Sequence, residues 1–472
     1  MTEKSRCSIV VLGCAKNQVD AEEMAVRLEQ AGYTVSADPA AADLIIVHTC
    51  GFIEKARRES IRALIDLVSL KQDAQKQKGD QGKGDQGEDN TGSPKILVTG
   101  CLSQRYPREL IEEIPEIDGL AGTQAPRDIV ELVRRVLSGE RVVEVGPPGR
   151  GVPGTCGGEI SGAPGFRYRP ESRPWAYVRV AEGCRRRCTY CAIPSMRGPL
   201  VSRPLEDIVK EVESLSVAGV REINLIAQDL GDYGVDLCGK QLLPELLLHL
   251  SDVPGISWIR LLYVHPDGVT SEFARAMAGS KAVPYLDMPI EHGSARILKL
   301  MGRPGPDRIW QAVNTLREHV PGIFLRTSVI VGFPGETRRD FEETMELLAE
   351  CEFHRVAVFG YSLEEGTPAA SLPGGVPSQT RARRIREMQH FSTALARQSS
   401  LRLEAKVIDV MLERPALQEG WWVARGVHQA PEVDGKVFLR IGSRSEPRRG
   451  DIRRGRVSSP GILHLWAREE PG

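Results

Sequence analysis

The chain has 472 residues, with 62 Lys+Arg against 63 Asp+Glu, a net charge of −1 and 41% hydrophobic residues. At about 100–200 residues per domain this length holds two to four domains with ample cores. The charge balance excludes attachment to nucleic acid by bulk charge alone, and no run approaches the ~18 apolar residues of a membrane span.

The start, MTEKSRCSIV, carries no apolar signal region, which leads us to expect a cytoplasmic protein. Its ten cysteines are then expected as metal ligands or free thiols rather than disulfides. Ser8–Gly13 reads as a short strand, followed by a helix over Asp20–Ala31 with Met24, Leu28 and Ala31 on one face. Leu44–Thr49 is a second buried strand, and Ile53–Leu70 a second helix with Ile61, Ile65 and Val68 in phase. A third strand, Ile96–Thr99, precedes helices near Tyr106–Ile114 and Pro126–Leu137. Strands alternating with helices predict an open parallel α/β sheet, which we assign to an N-terminal domain over 5–145. Residues 71–93 interrupt it with KGDQG twice and almost nothing apolar, so we expect a disordered insert.

Residues 146–174, rich in Gly, Pro and Arg, read as a linker. A second α/β run over 175–400 offers six strands: Ala176–Ala181, Glu222–Ala227, Trp258–Tyr263, Tyr285–Ile290, Arg326–Val331 and Val356–Tyr361. Leu205–Ala218 is its clearest helix. Six βα units are too few for a closed eight-stranded barrel, so a partial (βα)6 barrel is expected. From 401 to 468, short β-type runs with Gly/Pro turns and no helix predict a small antiparallel β-barrel.

Two cysteine sets stand out. Cys184, Cys188 and Cys191 have C-x3-C-x2-C spacing just after the strand YVRVAE. Three thiolates on one loop can hold a metal centre; structural zinc prefers four ligands, whereas a four-iron cluster with three leaves one iron open. Cys14, Cys50 and Cys101 each end a predicted parallel strand, 36 and 51 residues apart. The carboxyl ends of such strands line the ligand crevice of an open α/β sheet, so these thiols should converge.

The loop AEGCRRRCTYCAIP resembles the cluster motif of radical S-adenosylmethionine enzymes, whose fold is a partial (βα)6 barrel. The resemblance implies that the open iron chelates S-adenosylmethionine and that an electron cleaves it to a 5′-deoxyadenosyl radical. Gly332, Phe333, Pro334, Gly335 and Glu336 are similar to the segment that lies against the cofactor, as is Tyr190 beside the cluster. LGCAKNQVDAEE, TCGFIEKARRESI and TGCLSQRY resemble the N-terminal domain of the methylthiotransferases, which carry two 4Fe-4S clusters. One branch of that family (MiaB-type) modifies an adenosine in tRNA; the other (RimO-type) modifies an aspartate of the twelfth small-subunit ribosomal protein. IPSMRGPLVSRP, AQDLGDYGVD and ARGVHQAPEVDG look like the second branch. The departures are Glu291 for a usual glutamine, the basic Arg185 and Arg186, and Gln429 for a common aspartate.

The resemblance implies an auxiliary cluster on Cys14, Cys50 and Cys101 that handles sulfur, and a radical-generating cluster on Cys184, Cys188 and Cys191. It further implies methylthiolation at the aspartate β-carbon, a reductant such as flavodoxin or ferredoxin, a sulfur donor, and a TRAM-like C-terminal barrel that docks the ribosomal protein. Across 401–472 there are 13 Lys+Arg and 10 Asp+Glu, a balance too small to predict strong nucleic-acid binding. Glu432 and Asp434 sit in its predicted turn, where they either meet a basic partner or only shape the hairpin. Cys7, Cys156, Cys238 and Cys351 have no partner spacing and read as ordinary thiols.

Overall fold

The computed structural model describes residues 5–80, 93–149, 173–442 and 446–470. It divides into two compact units. One comprises residues 1–170 with 182–185 and 191–203; the other comprises 171–181, 186–190 and 204–472.

In the first unit six parallel strands lie in the order Thr34–Ser36, Arg6–Val11, Leu44–Thr49, Lys95–Gly100, Gly119–Ala121, Val142–Glu144. Every residue of Leu44–Thr49 is buried, because helices cover both faces of the sheet. On one face Met24 and Leu28 of the helix Ala15–Gln30 meet Ile129 and Leu132 of Ala125–Leu137 over Ile46 and Leu97. On the other, Leu64 and Val68 of Glu54–Asp80 cover Ile45 and Val47. The expected stripe of that second helix is corrected: Ile61 and Ile65 are exposed, and Ser60, Leu64, Val68 and Lys71 face inward.

The first part of the proposed insert is helical. The helix runs on to Asp80, and the polar residues at the start of the insert have partners. Lys71 Nζ donates to Asp118 at 2.5 Å and to the Glu116 carbonyl at 2.8 Å, and Gln72 donates to Glu116 Oε1 at 2.9 Å. The remainder of the proposed insert, 81–92, lies outside the described residues, as do 150–172 of the expected linker and Cys156.

In the second unit all six predicted strands form. Trp175–Arg179, Glu222–Ile226, Trp258–Leu261, Ala282–Asp287, Phe324–Val331 and Arg355–Gly360 pair in chain order as one open parallel sheet. Each crossover carries helical segments, which is how parallel neighbours are joined. After the helix Ser378–Leu401 the chain closes a five-stranded barrel around Ile408, Val410, Leu412, Leu439 and Val457. The barrel is not wholly antiparallel as expected: Val437–Arg440 and Leu465–Glu469 run parallel, and that pairing helps close it.

The barrel is joined to the sheet by buried charge. Glu222, fully buried, accepts from Arg260 Nε at 2.8 Å and from Arg425 of the barrel at 3.2 Å. The turn carrying Glu432 and Asp434 belongs to the same junction. Glu432 accepts from the Tyr177 hydroxyl at 3.2 Å and from Arg173 at 3.1 Å. Asp434, 2% exposed, accepts from the Tyr285 hydroxyl and from the Ala430 amide at 3.0 Å. Of the two carboxylates, Asp434 is taken up within the chain, while Glu432 braces the junction with its side chain still 48% exposed. No helix among the described residues is long and apolar enough to cross a membrane.

Candidate iron–sulfur and cofactor site

Cys14, Cys50 and Cys101 follow three strands that are adjacent in the first sheet, Arg6–Val11, Leu44–Thr49 and Lys95–Gly100. Cys14 caps the helix Ala15–Gln30, and Cys101 opens the helix Cys101–Arg105. Two glycines let the strand ends close up. Gly100 has φ +101°, and a Cβ there would stand 2.5 Å from the Thr49 carbonyl oxygen. At Gly13, φ +104°, a Cβ would stand 2.6 Å from Cys50 Cβ. Only glycine suits such a φ and such an approach.

Cys14 is exposed, whereas Cys50 and Cys101 are buried. Burial pushes the Cys50 thiol up to about 12, with Cys14 and Cys101 close enough to raise it further. Burial also raises Cys101, and Arg197 pulls against it. A metal binds the thiolate form, so a metal held at these cysteines would displace their protons. Among the described residues no three His, Cys, Asp or Glu side chains close tightly around a single-ion position. Three thiols on neighbouring strand ends are donors of the type that hold an iron–sulfur cluster.

Sequence reasoning missed the shell around this triad. Arg197, 3% exposed, donates Nε–H to Cys101 Sγ at 3.2 Å. Its other N–H groups reach Asn17 Oδ1 at 2.9 Å, Asp20 Oδ2 at 3.0 Å and Glu182 Oε2 at 3.3 Å. Burial works against the Arg197 charge, but Cys101, Glu182 and Asp20 more than offset it and hold the guanidinium well above its ordinary range. Arg197 lies in IPSMRGPLVSRP, a motif noticed as a whole rather than by residue.

Cys184, Cys188 and Cys191 lie, half-buried, on the loop after Trp175–Arg179. The loop divides between the units: Cys184 and Cys191 go with the first, Cys188 with the second. The Cys184 amide donates to the Gly198 carbonyl at 3.2 Å. Arg303 lies beside Cys188 and donates to the Pro289 carbonyl. Arg186 reaches Asp229 Oδ2 at 2.8 Å, Asp267 Oδ2 at 3.0 Å and Asp232 Oδ1 at 3.2 Å.

Glu291 adopts a left-handed backbone, φ +69°, where the chain bridges to Val329. Desolvation raises its carboxyl, while Arg303 and a hydrogen bond from Tyr190 pull it back. Tyr190 also packs in the cluster of Ile297, Met301, Phe333 and Tyr361. Phe333 is fully buried edge-on to Tyr361, 5.4 Å between centroids. Glu336 turns inward, accepting from the Gly332 amide at 2.7 Å and from Arg384 at 2.7 Å. The side chains of Phe333 and Glu336 thus brace their own loop, while Gly332 and Gly335, at φ +81° each, bend it around Pro334.

Cys7 and Cys351 are buried and pushed up to about 12 by that burial. His265 accepts from the Asp267 amide at 3.1 Å, and His292 from the Ser294 amide at 3.0 Å.

Three family models match the chain: the radical SAM superfamily over 178–348, the uncharacterized protein family UPF0004 over 6–122, and the TRAM domain over 406–468. It is 41% identical over 459 residues to the ribosomal protein uS12 methylthiotransferase RimO of Pelotomaculum thermopropionicum, covering 95% of this chain and 96% of that protein. Proteins of the same name from Desulforudis audaxviator and Geobacter sulfurreducens are 38% and 39% identical, over 99% and 96% of this chain and 97% and 96% of theirs. Among solved structures, the radical S-adenosylmethionine methyltransferase TsrM from Kitasatospora setae aligns with a TM-score of 0.54 at 14% identity. That alignment covers 78% of this chain and 74% of TsrM, and the likeness is one of fold.

Proposed function

The chain belongs to the RimO family of ribosomal protein uS12 methylthiotransferases, and from that premise we propose that it adds a methylthio group to the β-carbon of an aspartate in uS12. As a radical SAM protein it works with a 4Fe-4S cluster and S-adenosylmethionine; the finer reading is that it holds two clusters. The β-carbon hydrogen of aspartate is unactivated and no side-chain base removes it, so the hard step falls to cofactors. When bound, a cluster with S-adenosylmethionine on Cys184, Cys188 and Cys191 supplies radical hydrogen abstraction, and a cluster on Cys14, Cys50 and Cys101 supplies sulfur.

The chain's own residues hold and orient these groups. Arg186 and Arg303 secure the loop around Cys188 through Asp229, Asp232, Asp267 and the Pro289 carbonyl. Gly332, Pro334 and Gly335 offer backbone against which the cofactor can lie, with the Phe333 and Glu336 side chains bracing the loop from inside. Tyr190 is the loop's own aromatic contact beside it. A second S-adenosylmethionine supplies the methyl group, and turnover needs an external reductant and a sulfur donor. A ribosomal-protein substrate places the work in the cytoplasm.

The observation that supports this reading most is the repeated strand-end position of Cys14, Cys50 and Cys101 on neighbouring strands. Anaerobically reconstituted chain should hold about 8 iron, two four-iron clusters. Cys14→Ala and Cys188→Ala should each lose about half of that iron. Incubation with uS12, reductant and S-adenosylmethionine should add one methylthio mass increment to the protein. A chain carrying one zinc, or a modified tRNA with unmodified uS12, would overturn the proposal.

A further inference from the structure

Arg197 does not stand alone against Cys101. Asp20 Oδ2, which accepts from Arg197, also lies 3.2 Å from His48 Nε2, and His48 Nδ1 lies 2.7 Å from Thr99 Oγ1. Asn17 spends its amide hydrogens on the Leu12 carbonyl at 2.7 Å and the Thr49 carbonyl at 3.1 Å, which aims its Oδ1 at Arg197. Thr99, His48 and Asn17 are fully buried and Asp20 is 1% exposed. The guanidinium is thus clamped from three sides, with its Nε–H left for a sulfur.

A neutral thiol is a weak acceptor, so a guanidinium N–H spent on one is a poor use of a buried donor. A ligand thiolate is a strong acceptor, and a charge-assisted bond to it is worth far more. Ala192, Ile193 and Met196, on and beside the short helix Ile193–Arg197, pack with Cys101, so the backbone that delivers Arg197 is fixed as well.

We propose that Arg197 is a positioning residue for the cluster of Cys14, Cys50 and Cys101: it donates to the Cys101 sulfur, fixes that ligand and makes the cluster easier to reduce. The inference rests on reading those three cysteines as ligands. A positive charge and a donor beside a ligand sulfur favour the more negative, reduced state, and hydrogen bonds to sulfur are among the terms that set a cluster's potential. The carboxylates of Asp20 and Glu182, with Asn17, hold the donor in place, and His48 and Thr99 hold Asp20.

The test uses the full chain with Cys184, Cys188 and Cys191 all changed to Ala, so that iron can sit only on the other triad. Arg197→Lys and Arg197→Gln are compared with this parent by potentiometric EPR titration and by iron release to a chelator. Lysine keeps the charge but not the planar fork. Both variants should shift the potential negative, glutamine further, with an altered EPR line shape and iron release about 10-fold faster or more. Arg197→Lys decides the matter should Arg197→Gln not fold. A lysine variant with the parent's potential and spectrum would overturn the proposal and leave Arg197 a buried ion pair only. If the parent itself takes up no iron, the ligand reading fails first.

Discussion

Arg186, two residues before Cys188, donates its Nε–H to Asp229 Oδ2 at 2.8 Å, tying the cysteine loop to the segment after Glu222–Ile226. The same guanidinium reaches Asp232 and Asp267. Burial, with Asp232 as neighbour, raises the Asp229 carboxyl, and Arg186 is what opposes that rise. Arg186→Gln would leave two buried carboxylates facing each other. Breaking a buried pair costs about 3–5 kcal/mol, less here because Arg186 keeps partial solvent access. We expect the loop to loosen, with faster iron loss from the Cys184, Cys188 and Cys191 site in a background lacking Cys14, Cys50 and Cys101. Arg186→Lys should rescue only part, since one point charge cannot bridge three carboxylates. Unchanged iron retention in the glutamine variant would show that the loop holds its own shape.

Gly100 tests the closeness of the strand ends. Gly100→Ala places a Cβ within 2.5 Å of the Thr49 carbonyl oxygen at φ +101°. Gly32→Ala is the control, with φ +94° and nothing within 4 Å of its Cβ. Backbone strain alone costs about 1–3 kcal/mol, and overpacking adds a similar amount. The control should lower the unfolding midpoint yet keep full iron. Gly100→Ala should lose iron from the strand-end triad as well. Equal iron in both would mean that Cys101 can move without harm.

Glu222 is the keystone of the junction between the six-stranded sheet and the C-terminal barrel. It is fully buried between Arg260 and Arg425, and those two cations hold its carboxyl below the usual range despite burial. Glu222→Gln keeps the shape and removes the charge, leaving Arg260 without its counterion and Arg425 with Glu413 alone. A loss of about 3–5 kcal/mol is expected. Chemical denaturation should show the unfolding of sheet and barrel moving down together. A change confined to one of them would mean that the junction does not couple them.

Much of this was legible in the sequence, and what was not has a common cause. The alternation of strand and helix runs located all six strands of the second sheet, and the cysteines expected at strand ends follow three neighbouring strands. The first helix begins at Ala15 rather than Asp20, because Asn17 and Asp20 are buried polar residues that an apolar stripe cannot register. The same blindness hid Lys71 and Gln72, whose partners Glu116 and Asp118 lie more than 40 residues away. Arg197 meets Cys101 across 96 residues and Asp20 across 177, a relation with no local signature. The turn of Glu432 and Asp434 looked like an exposed hairpin because its partners, Tyr177 and Tyr285, sit on another domain's strands.

The junction also predicts how stability depends on pH. His354 stacks on Phe324 at 4.5 Å between centroids, and His428 tilts against the same ring at 5.5 Å. Burial lowers both to about 4, helped for His354 by His428, Arg317 and Arg402, and for His428 by Arg260 and Arg355. His354 Nδ1 accepts from the Leu325 amide at 3.1 Å, which requires that nitrogen to be unprotonated. In the unfolded chain both rings titrate near 6.5, so on acidification the unfolded state takes up protons that the folded state refuses. Stability is therefore fully present above about 6.5 and falls as pH drops toward 4, by on the order of 3 kcal/mol per histidine. Above pH 4 neither ring is charged in the folded state, so the two losses add. Denaturant midpoints measured from pH 7.5 to 5 should hold to about 6.5 and fall from there. His428→Asn, which removes one titrating ring, should start lower through lost packing on Phe324 yet decline with a shallower slope. A variant that keeps the parent's slope over this window would show that other groups carry the acid sensitivity.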